Sequence, residues 1–581
     1  MSISQYFPYP TFRPYQKEVI EAVERNWDNF NYIFIEAPTG AGKSAMAYTV
    51  ANWLLKTRNK FTHFVVSDIY LQNQYLRDFP DIKIIKGRNN YTCSVMKRNV
   101  TSLYEDKEID EGEYPTCGDA PCIRNMTYRC AYKPHRISKD NPDENGDDTP
   151  YDEYGVKLDW RDVVEPHCRY WKVKDEAIHT PLTIHNYHYF LNEMLFSHSF
   201  SQRELGVFDE AHTIESMLMA FIEMNITKWA LNRITRFLEI AEINIPNHIA
   251  TIGEWQNWLQ RIYEIIKDRA DIFGTEEGME AEQVDPSQIK SKMLTDNFLE
   301  KLDILIRNME QNPNNWVWSV GNNDYGDSVH FRPVKISEFA KANLFKHTNK
   351  HILISATILD PDKLKNYLGI DEEVKFLRVN SSNFPVQNRP LYVRSQGKAT
   401  AKTMEEYLPK MLNYIDWELL PNLIKDKGVI HSHTNDIARY ILNNSRYKNI
   451  MYSNVDNDEE KRDIVFQHFF ESKAPSIMVT PSMRLGVDLH DDLARWQIIT
   501  KIPYPYLGDP QVKKRTEIDS GWYEYQACQN LIQTYGRVCR SETDFGETFV
   551  LDSKFTDLFY QNIKFFPRWF TEAVRWHSIC I

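Results

Sequence analysis

The chain has no apolar run of the ~20 residues that a membrane-crossing helix needs, and Met1-Ser2-Ile3-Ser4-Gln5 has no signal-peptide character. Both absences predict a protein of the cytoplasm, or of a nucleus where the host has one, with no membrane partner. Cysteine is scarce, with 8 in 581 residues, too few for a disulfide framework. Basic charge is not in excess either: the formal net charge is −12. That total argues only weakly against nucleic acid, because a polyanion is held by a local basic groove and not by a chain average. No internal repeat is visible. What remains is ordinary globular composition, 42% hydrophobic and 26% charged, in a chain too long for one core, so three or four domains are expected. Acidic residues gather at 140–159 and 275–285, polar stretches that read as exposed loops.

Apolar, strand-like runs alternate with helical patterns over 31–85, 182–210 and 350–358, the signature of a doubly wound α/β domain. A second set of strands reads as Gly428-Val429-Ile430-His431, Ser476-Ile477-Met478-Val479, Gln497-Ile498-Ile499 and Thr548-Phe549-Val550-Leu551. Two α/β domains follow. The first is interrupted by a cysteine-bearing insertion near 88–178 and by a mostly helical one from about 216 to 330.

Two segments carry chemistry. Ala37-Pro38-Thr39-Gly40-Ala41-Gly42-Lys43-Ser44 follows the run Tyr32-Ile33-Phe34-Ile35 and precedes a helical pattern, the strand–loop–helix setting of a phosphate-binding loop. Glycines let backbone N–H groups curl around phosphates, and the helix N-terminus adds its partial positive charge. Lys43 would neutralise the phosphates and the Ser44 hydroxyl would hold Mg²⁺. Downstream, Val207-Phe208-Asp209-Glu210-Ala211-His212 ends another apolar strand, so Asp209 can hold Mg²⁺ and Glu210 can polarise an attacking water. Both motifs in this order predict an ATPase. Five cysteines, Cys93, Cys117, Cys122, Cys130 and Cys168, fall in one short region. Thiolates are soft ligands that suit an iron–sulfur cluster or zinc, and unligated buried cysteines are the bland alternative.

Further segments resemble the iron–sulfur branch of superfamily 2 helicases, the XPD/DinG-like family, over nearly the whole chain. They are Phe12-Arg13-Pro14-Tyr15-Gln16, Ser67-Asp68-Ile69-Tyr70-Leu71-Gln72-Asn73-Gln74, Lys86-Gly87-Arg88-Asn89-Asn90-Tyr91-Thr92-Cys93, Ser355-Ala356-Thr357, Ser482-Met483-Arg484-Leu485-Gly486-Val487-Asp488-Leu489, Lys501-Ile502-Pro503-Tyr504-Pro505 with Gly508-Asp509-Pro510, and Gln533-Thr534-Tyr535-Gly536-Arg537-Val538-Cys539-Arg540. Ala37 stands where the strict phosphate-loop pattern has Gly, as is common in that family.

The resemblance implies two RecA-like doubly wound domains, with an iron–sulfur insertion and a helical arch in the first. The implied boundaries are domain 1 at 1–87, 179–215 and 331–385, the iron–sulfur domain at 88–178, the arch at 216–330, and domain 2 at 386–581. Gln16 would hydrogen-bond adenine. Arg537 and Arg540 would be arginine fingers, Gln533 would position water or phosphate, Gly486 and Asp488 would sense closure, and His212 would link ATP state to domain 2. A 4Fe–4S cluster would take four of the five cysteines, with Cys93 first and Cys168 last. DinG-like spacing favours Cys122 and Cys130 as the others and leaves Cys117 as the spare. Lys86, Arg88 and Tyr91 are candidates for contact with a DNA strand, although Arg88 could equally anchor a carboxylate; His185 and His188 suit packing or a DNA-facing role better than metal binding.

The implied protein is a monomeric ATP-dependent DNA helicase that moves 5′ to 3′ on single-stranded DNA and unwinds forked duplex. It would serve repair, recombination or replication, with a protein loader or single-strand-binding protein as partner. Two rivals fit the same motifs. One is a translocase or RNA–DNA hybrid remodeller without autonomous unwinding; the other is a DNA-binding ATPase switch subunit.

Overall fold

The computed structural model describes residues 2–94, 116–120, 168–249, 251–275, 286–323, 326–455, 459–481 and 489–576. Its first sheet has seven parallel strands in the order Val374–Arg378, Tyr32–Glu36, Thr348–Ser355, Arg203–Asp209, Thr62–Val66, Leu182–Asn186, Lys83–Ile84. Every residue of Tyr32–Glu36 and of Thr62–Val66 is buried. That is why these strands read as continuous apolar runs: a parallel sheet is covered by helices on both faces. Alternate residues serve opposite faces. Ile33 and Ile35 pack with Ile20, Leu54 and Val66, while Tyr32 and Phe34 pack with Phe208 and Phe345.

Strand order fixes the site. The strand ahead of the phosphate loop pairs with Thr348–Ser355, which pairs with Arg203–Asp209. The phosphate loop, Ser355-Ala356-Thr357 and Asp209-Glu210 therefore stand side by side along the carboxyl edge, where ligands of open α/β sheets bind.

The second sheet is also parallel, in the order Met451–Ser453, Ile477–Thr480, Gly428–His431, Trp496–Ile499, Glu547–Asp552, Leu391–Gly397, Val574–Arg575. Its central strands coincide with the four apolar runs read from the sequence. The fold is thus α/β with two RecA-like units.

Of the cysteine-bearing insertion, the described residues are 88–94, 116–120 and 168–178. In the other insertion, helices Lys228–Leu238, Ile252–Thr275 and Pro286–Gln311 pack together, as the apolar periodicity predicts. They are joined by a three-stranded antiparallel sheet of Met224–Thr227, Gly326–Pro333 and Trp316–Asn323, a β component the helical reading of 216–330 does not contain. Phe331 from this sheet packs against Trp255 of the second helix.

Helix Pro510–Ile518 of the second unit docks where this insertion meets the first unit. Arg332 Nη1 lies 2.6 Å from Asp509 Oδ2, and Arg515 donates to Glu215 Oε1 (2.7 Å) and to the Val334 carbonyl (2.9 Å). Arg515 is 1% exposed and its guanidinium also lies over the Tyr367 ring. Burial pushes the Glu215 carboxyl up, and the Arg515 charge opposes that shift. Removing one partner of such a pair costs about 3–5 kcal/mol, because the other charge is left buried alone. Arg515→Met should therefore lower the thermal midpoint measured by calorimetry, and adding Glu215→Leu should restore part of the loss. An unchanged midpoint in the single variant would contradict this.

Candidate active site

Gly42 caps the N-terminus of helix Lys43–Arg58 with φ 73°, and Gly40 has φ 80°, a backbone region that favours glycine. A Cβ at Gly42 would meet the Gln16 amide, and one at Gly40 would meet the Phe384 ring. The loop is therefore held from both sides. Gln16 is 3% exposed; its Nε2 donates to the carbonyls of Ala41 (3.0 Å) and Gly42 (3.3 Å), and its Oε1 accepts from the Arg13 N–H (2.8 Å). Gln16, the residue expected to meet the base, thus packs directly against the phosphate loop. Arg13 itself donates to the Gly40 carbonyl at 2.7 Å.

Asp209 and Glu210 end the acidic strand. Tyr75 donates to Asp209 Oδ2 (2.8 Å), the Glu210 N–H donates to Asp209 Oδ1 (2.8 Å), and Tyr187 donates to the Asp209 carbonyl (3.1 Å). Glu210 has φ 48°, an uncommon conformation for a residue with a side chain, of the kind found at functional sites. Burial raises the Asp209 carboxyl to about 6, and the Glu210 charge pushes the same way against Lys43. Glu210 goes the other way. Burial would raise it, but the His212 hydrogen bond and charge, then Lys43 and Arg540, outweigh burial and hold it ionised. One carboxylate is thus kept charged beside another whose proton affinity is raised.

From Glu210 a chain of contacts crosses to the second unit. His212 Nδ1 lies 3.2 Å from Glu210 Oε2 and 2.9 Å from Ser355 Oγ. Ser355 Oγ accepts the Thr357 N–H (3.1 Å), and Thr357 Oγ1 accepts from Gln533 Nε2 (2.7 Å). Gln529 donates to the Thr357 carbonyl and Tyr525 to the Ile358 carbonyl, each at 2.7 Å. Gln529, Tyr525 and Gln533 all lie on helix Trp522–Tyr535. Glu36, fully buried and 2.6 Å from Arg378, accepts the Leu359 N–H and fixes the far end of this segment.

Lys43, Ser44, Asp209, Glu210, Gln533, Arg537 and Arg540 line a single cleft of about 600 Å³ between the units. Thr39, Gly40, Gly42 and His212 line it too. Pro38 and Ala41 lie in the same loop, with the Ala41 N–H on the Pro38 carbonyl (3.2 Å). Gly486 and Asp488 lie outside the described residues. The arrangement can bind a triphosphate against one unit while the other unit presents cations to it.

The remaining candidates sit elsewhere. Arg88 lies over the rings of Tyr170 (4.5 Å) and Trp171 (5.1 Å), an aromatic shelf. Tyr91 is 8% exposed and its hydroxyl accepts the Lys86 N–H (3.2 Å), which leaves no open ring for a base. His185 is buried beside His63 (3.1 Å) as packing. Cys117 Sγ stands 3.9 Å from Cys168 Sγ, and the Cys93 thiol also hydrogen-bonds Cys117. Sharing a proton pulls Cys168 down to about 6 and pushes Cys117 up. Cys122 and Cys130 lie outside the described residues. Among the described residues no three or more His, Cys, Asp or Glu side chains are arranged to hold a metal ion, and no helix is long and apolar enough to cross a membrane. Tyr75, which orients Asp209 together with Tyr187, carries no motif signal and is not found by sequence reasoning as a site residue.

Lys43→Ala should reduce ATP turnover to background while circular dichroism stays unchanged. Glu210→Gln should keep nucleotide affinity and lower kcat by at least about 10²-fold, the scale of a general-base or water-orienting group. Normal turnover in either variant would remove that residue from the chemistry.

Comparisons with known proteins agree with this geometry. Residues 430–573 match a helicase C-terminal domain, and residues 10–142 match the res subunit of type III restriction enzymes. The chain is 21% identical to the ATP-dependent DNA helicase YoaA of Haemophilus influenzae, over 94% of this chain and 91% of that protein. A solved XPD helicase superposes with a TM-score of 0.59 at 16% identity, covering 98% of this chain and all of that one. S. tokodaii Xpd4 superposes at 0.52 with 12% identity, covering 97% of this chain and all of that one. With the motif order and the paired parallel sheets, these matches agree with an XPD/DinG-like helicase of superfamily 2 and support an ATP-hydrolysing helicase.

Proposed function

We propose that this protein is a DNA helicase that converts ATP hydrolysis into 5′ to 3′ movement along single-stranded DNA and so separates duplex at a fork, in repair, recombination or replication. The observation that carries the reading is the cleft itself, where phosphate-loop and acidic-box residues of one unit face Gln533, Arg537 and Arg540 of the other. Lys43 would bind the β- and γ-phosphates. Ser44 and Asp209 would hold Mg²⁺, which neutralises phosphate charge when bound. Glu210, kept ionised by its cationic neighbours, would accept the proton of the attacking water, with Gln533 positioning it. Arg537 and Arg540 would stabilise charge developing on the transferred phosphoryl group, a contribution of about 10³–10⁵-fold where such fingers have been measured. Loss of the γ-phosphate removes what draws the arginines inward, so the units part and the grip on the strand shifts.

A 4Fe–4S cluster is the cofactor proposed for the cysteine region. Cys117 contacts both Cys168 (3.9 Å) and the Cys93 thiol, and these three with either Cys122 or Cys130 would be the ligands. The thiol contact favours Cys117 as a ligand over its reading as the spare. The cluster would supply structural rigidity to the strand-separating insertion and would play no part in hydrolysis. The name of the Haemophilus relative, an ATP-dependent DNA helicase, supports DNA as the polymer.

The test is strand displacement by anaerobically purified protein on duplexes carrying a 5′ or a 3′ single-stranded tail. Unwinding of the 5′-tailed duplex alone is expected, and Cys168→Ser should lose both iron and unwinding while keeping ATPase. No unwinding of either substrate, or unwinding from a 3′ tail, would overturn the proposal.

A further inference from the structure

The segment that joins the two parallel sheets, residues 379–390, is laid across the phosphate loop. At its start the Val379 N–H donates to the Glu36 carbonyl (2.8 Å), at the end of the strand that feeds the loop. Asn383 Nδ2 donates to the Gly40 carbonyl (3.4 Å), which also accepts from Arg13 Nη1 (2.7 Å). Phe384 is 6% exposed, and its ring fills the place where a Cβ on Gly40 would stand. Ser382 Oγ accepts the Phe384 N–H (3.1 Å), and Arg389 Nε donates to the Phe384 carbonyl (3.0 Å). The backbone that carries this ring is thus pinned on both sides.

The far end of the segment belongs to the second unit. Arg389 is buried; its Nη2 lies 2.6 Å from Glu572 Oε1, its Nη1 donates to the Trp569 carbonyl, and its own carbonyl accepts from the Tyr535 hydroxyl (2.6 Å). Tyr535 ends the helix that carries Gln533. Pro38, Thr39 and Phe384 on one side and Arg389, Tyr535 and Gly536 on the other enclose a cavity of about 20 Å³. That is too small for more than a water molecule. A Cβ on Gly536 would already stand 3.5 Å from Thr39 Oγ1, so loop and second unit are nearly in contact there.

Gly40 and Gly42 both have left-handed backbone, and a stretch with two such glycines has little preference of its own for one shape. Contacts from outside must select the shape that presents N–H groups to phosphates. Peptide planarity means that fixing the Gly40 carbonyl fixes the plane it shares with Ala41. The Phe384 ring closes the space into which the Gly40 turn could relax. Phe384 itself does not line the nucleotide cleft, so it acts on the phosphates only through the loop. We infer that Phe384, held in place by Arg389, is a positioning residue that seats the phosphate loop for the β-phosphate, a reading that rests on the ATPase assignment above. Holding a loop in its bound shape raises affinity by removing the cost of ordering it.

The experiment measures steady-state ATP hydrolysis by the full-length protein, together with displacement of a fluorescent ADP analogue by ADP and by AMP. Wild type should bind ADP more tightly than AMP, because the loop cradles the β-phosphate. Phe384→Ala should raise KM for ATP and Kd for ADP at least about 10-fold, the scale on which a displaced cradle loses its ligand. The effect on kcat should be much smaller, since Lys43 begins its own helix and Glu210 follows its own strand. AMP should bind as it does to wild type, so the preference for ADP shrinks; general damage to the fold would weaken both alike. Phe384→Leu, which keeps most of the apolar contact, should give a smaller shift in the same direction, and it decides the outcome if Phe384→Ala does not fold. An unchanged KM and ADP:AMP preference in the folded variant, or equal weakening of both nucleotides, would overturn the inference. Wild-type protein that does not prefer ADP to AMP would instead defeat the phosphate-loop reading on which it stands.

Discussion

Two adjacent carboxylates at the buried end of a strand repel each other and lose their hydration, and the rest of the site is arranged around that fact. Asp209 and Glu210 can coexist in the cleft because their environments differ. Asp209 lies deep among the Tyr75 and Tyr187 hydroxyls, where burial raises its proton affinity. Glu210 is turned out by a left-handed backbone into the reach of His212, Lys43 and Arg540. Arg540 comes from the second unit, so the charge balance of the acidic box is incomplete within the first sheet alone. A phosphate loop, a charged carboxylate and borrowed cations together make a site that suits a triphosphate.

The same requirement explains the contacts between the units. Helix Trp522–Tyr535 holds Ser355-Ala356-Thr357 through Gln529 and Gln533, and that segment holds His212. A change at Glu210 is therefore one side chain from the first unit's connecting loop and three from the second unit. Just after the acidic box, Glu215 is clamped by Arg515, and Arg332 of the antiparallel sheet meets Asp509, which together tie the base of the arch to the second unit. Domain closure, acidic box and arch are joined by hydrogen bonds between named groups, which gives coupling a physical route.

Much of this was legible in the sequence for definite reasons. Strands buried on both faces leave unbroken apolar runs, and phosphate binding needs Gly40 and Gly42 where the backbone turns left-handed. The acidic box follows an apolar strand for the same topological reason. What was not legible depends on tertiary neighbours. Tyr75 and Arg515 are ordinary helical residues until folding brings Asp209 and Glu215 to them. The antiparallel sheet within the arch was missed because its short strands, interrupted by polar residues, carry a weaker periodic signal than the long helices around them.

The central claim is that the Glu210–His212–Ser355–Thr357–Gln533 path transmits nucleotide state between the units. It is tested most directly by fluorescence energy transfer between labels on the two units, with and without a non-hydrolysable ATP analogue. In wild type the analogue should shorten the distance. In Gln533→Ala it should still bind yet produce a much smaller shortening. An undiminished closure in that variant, with the analogue bound, would contradict the account.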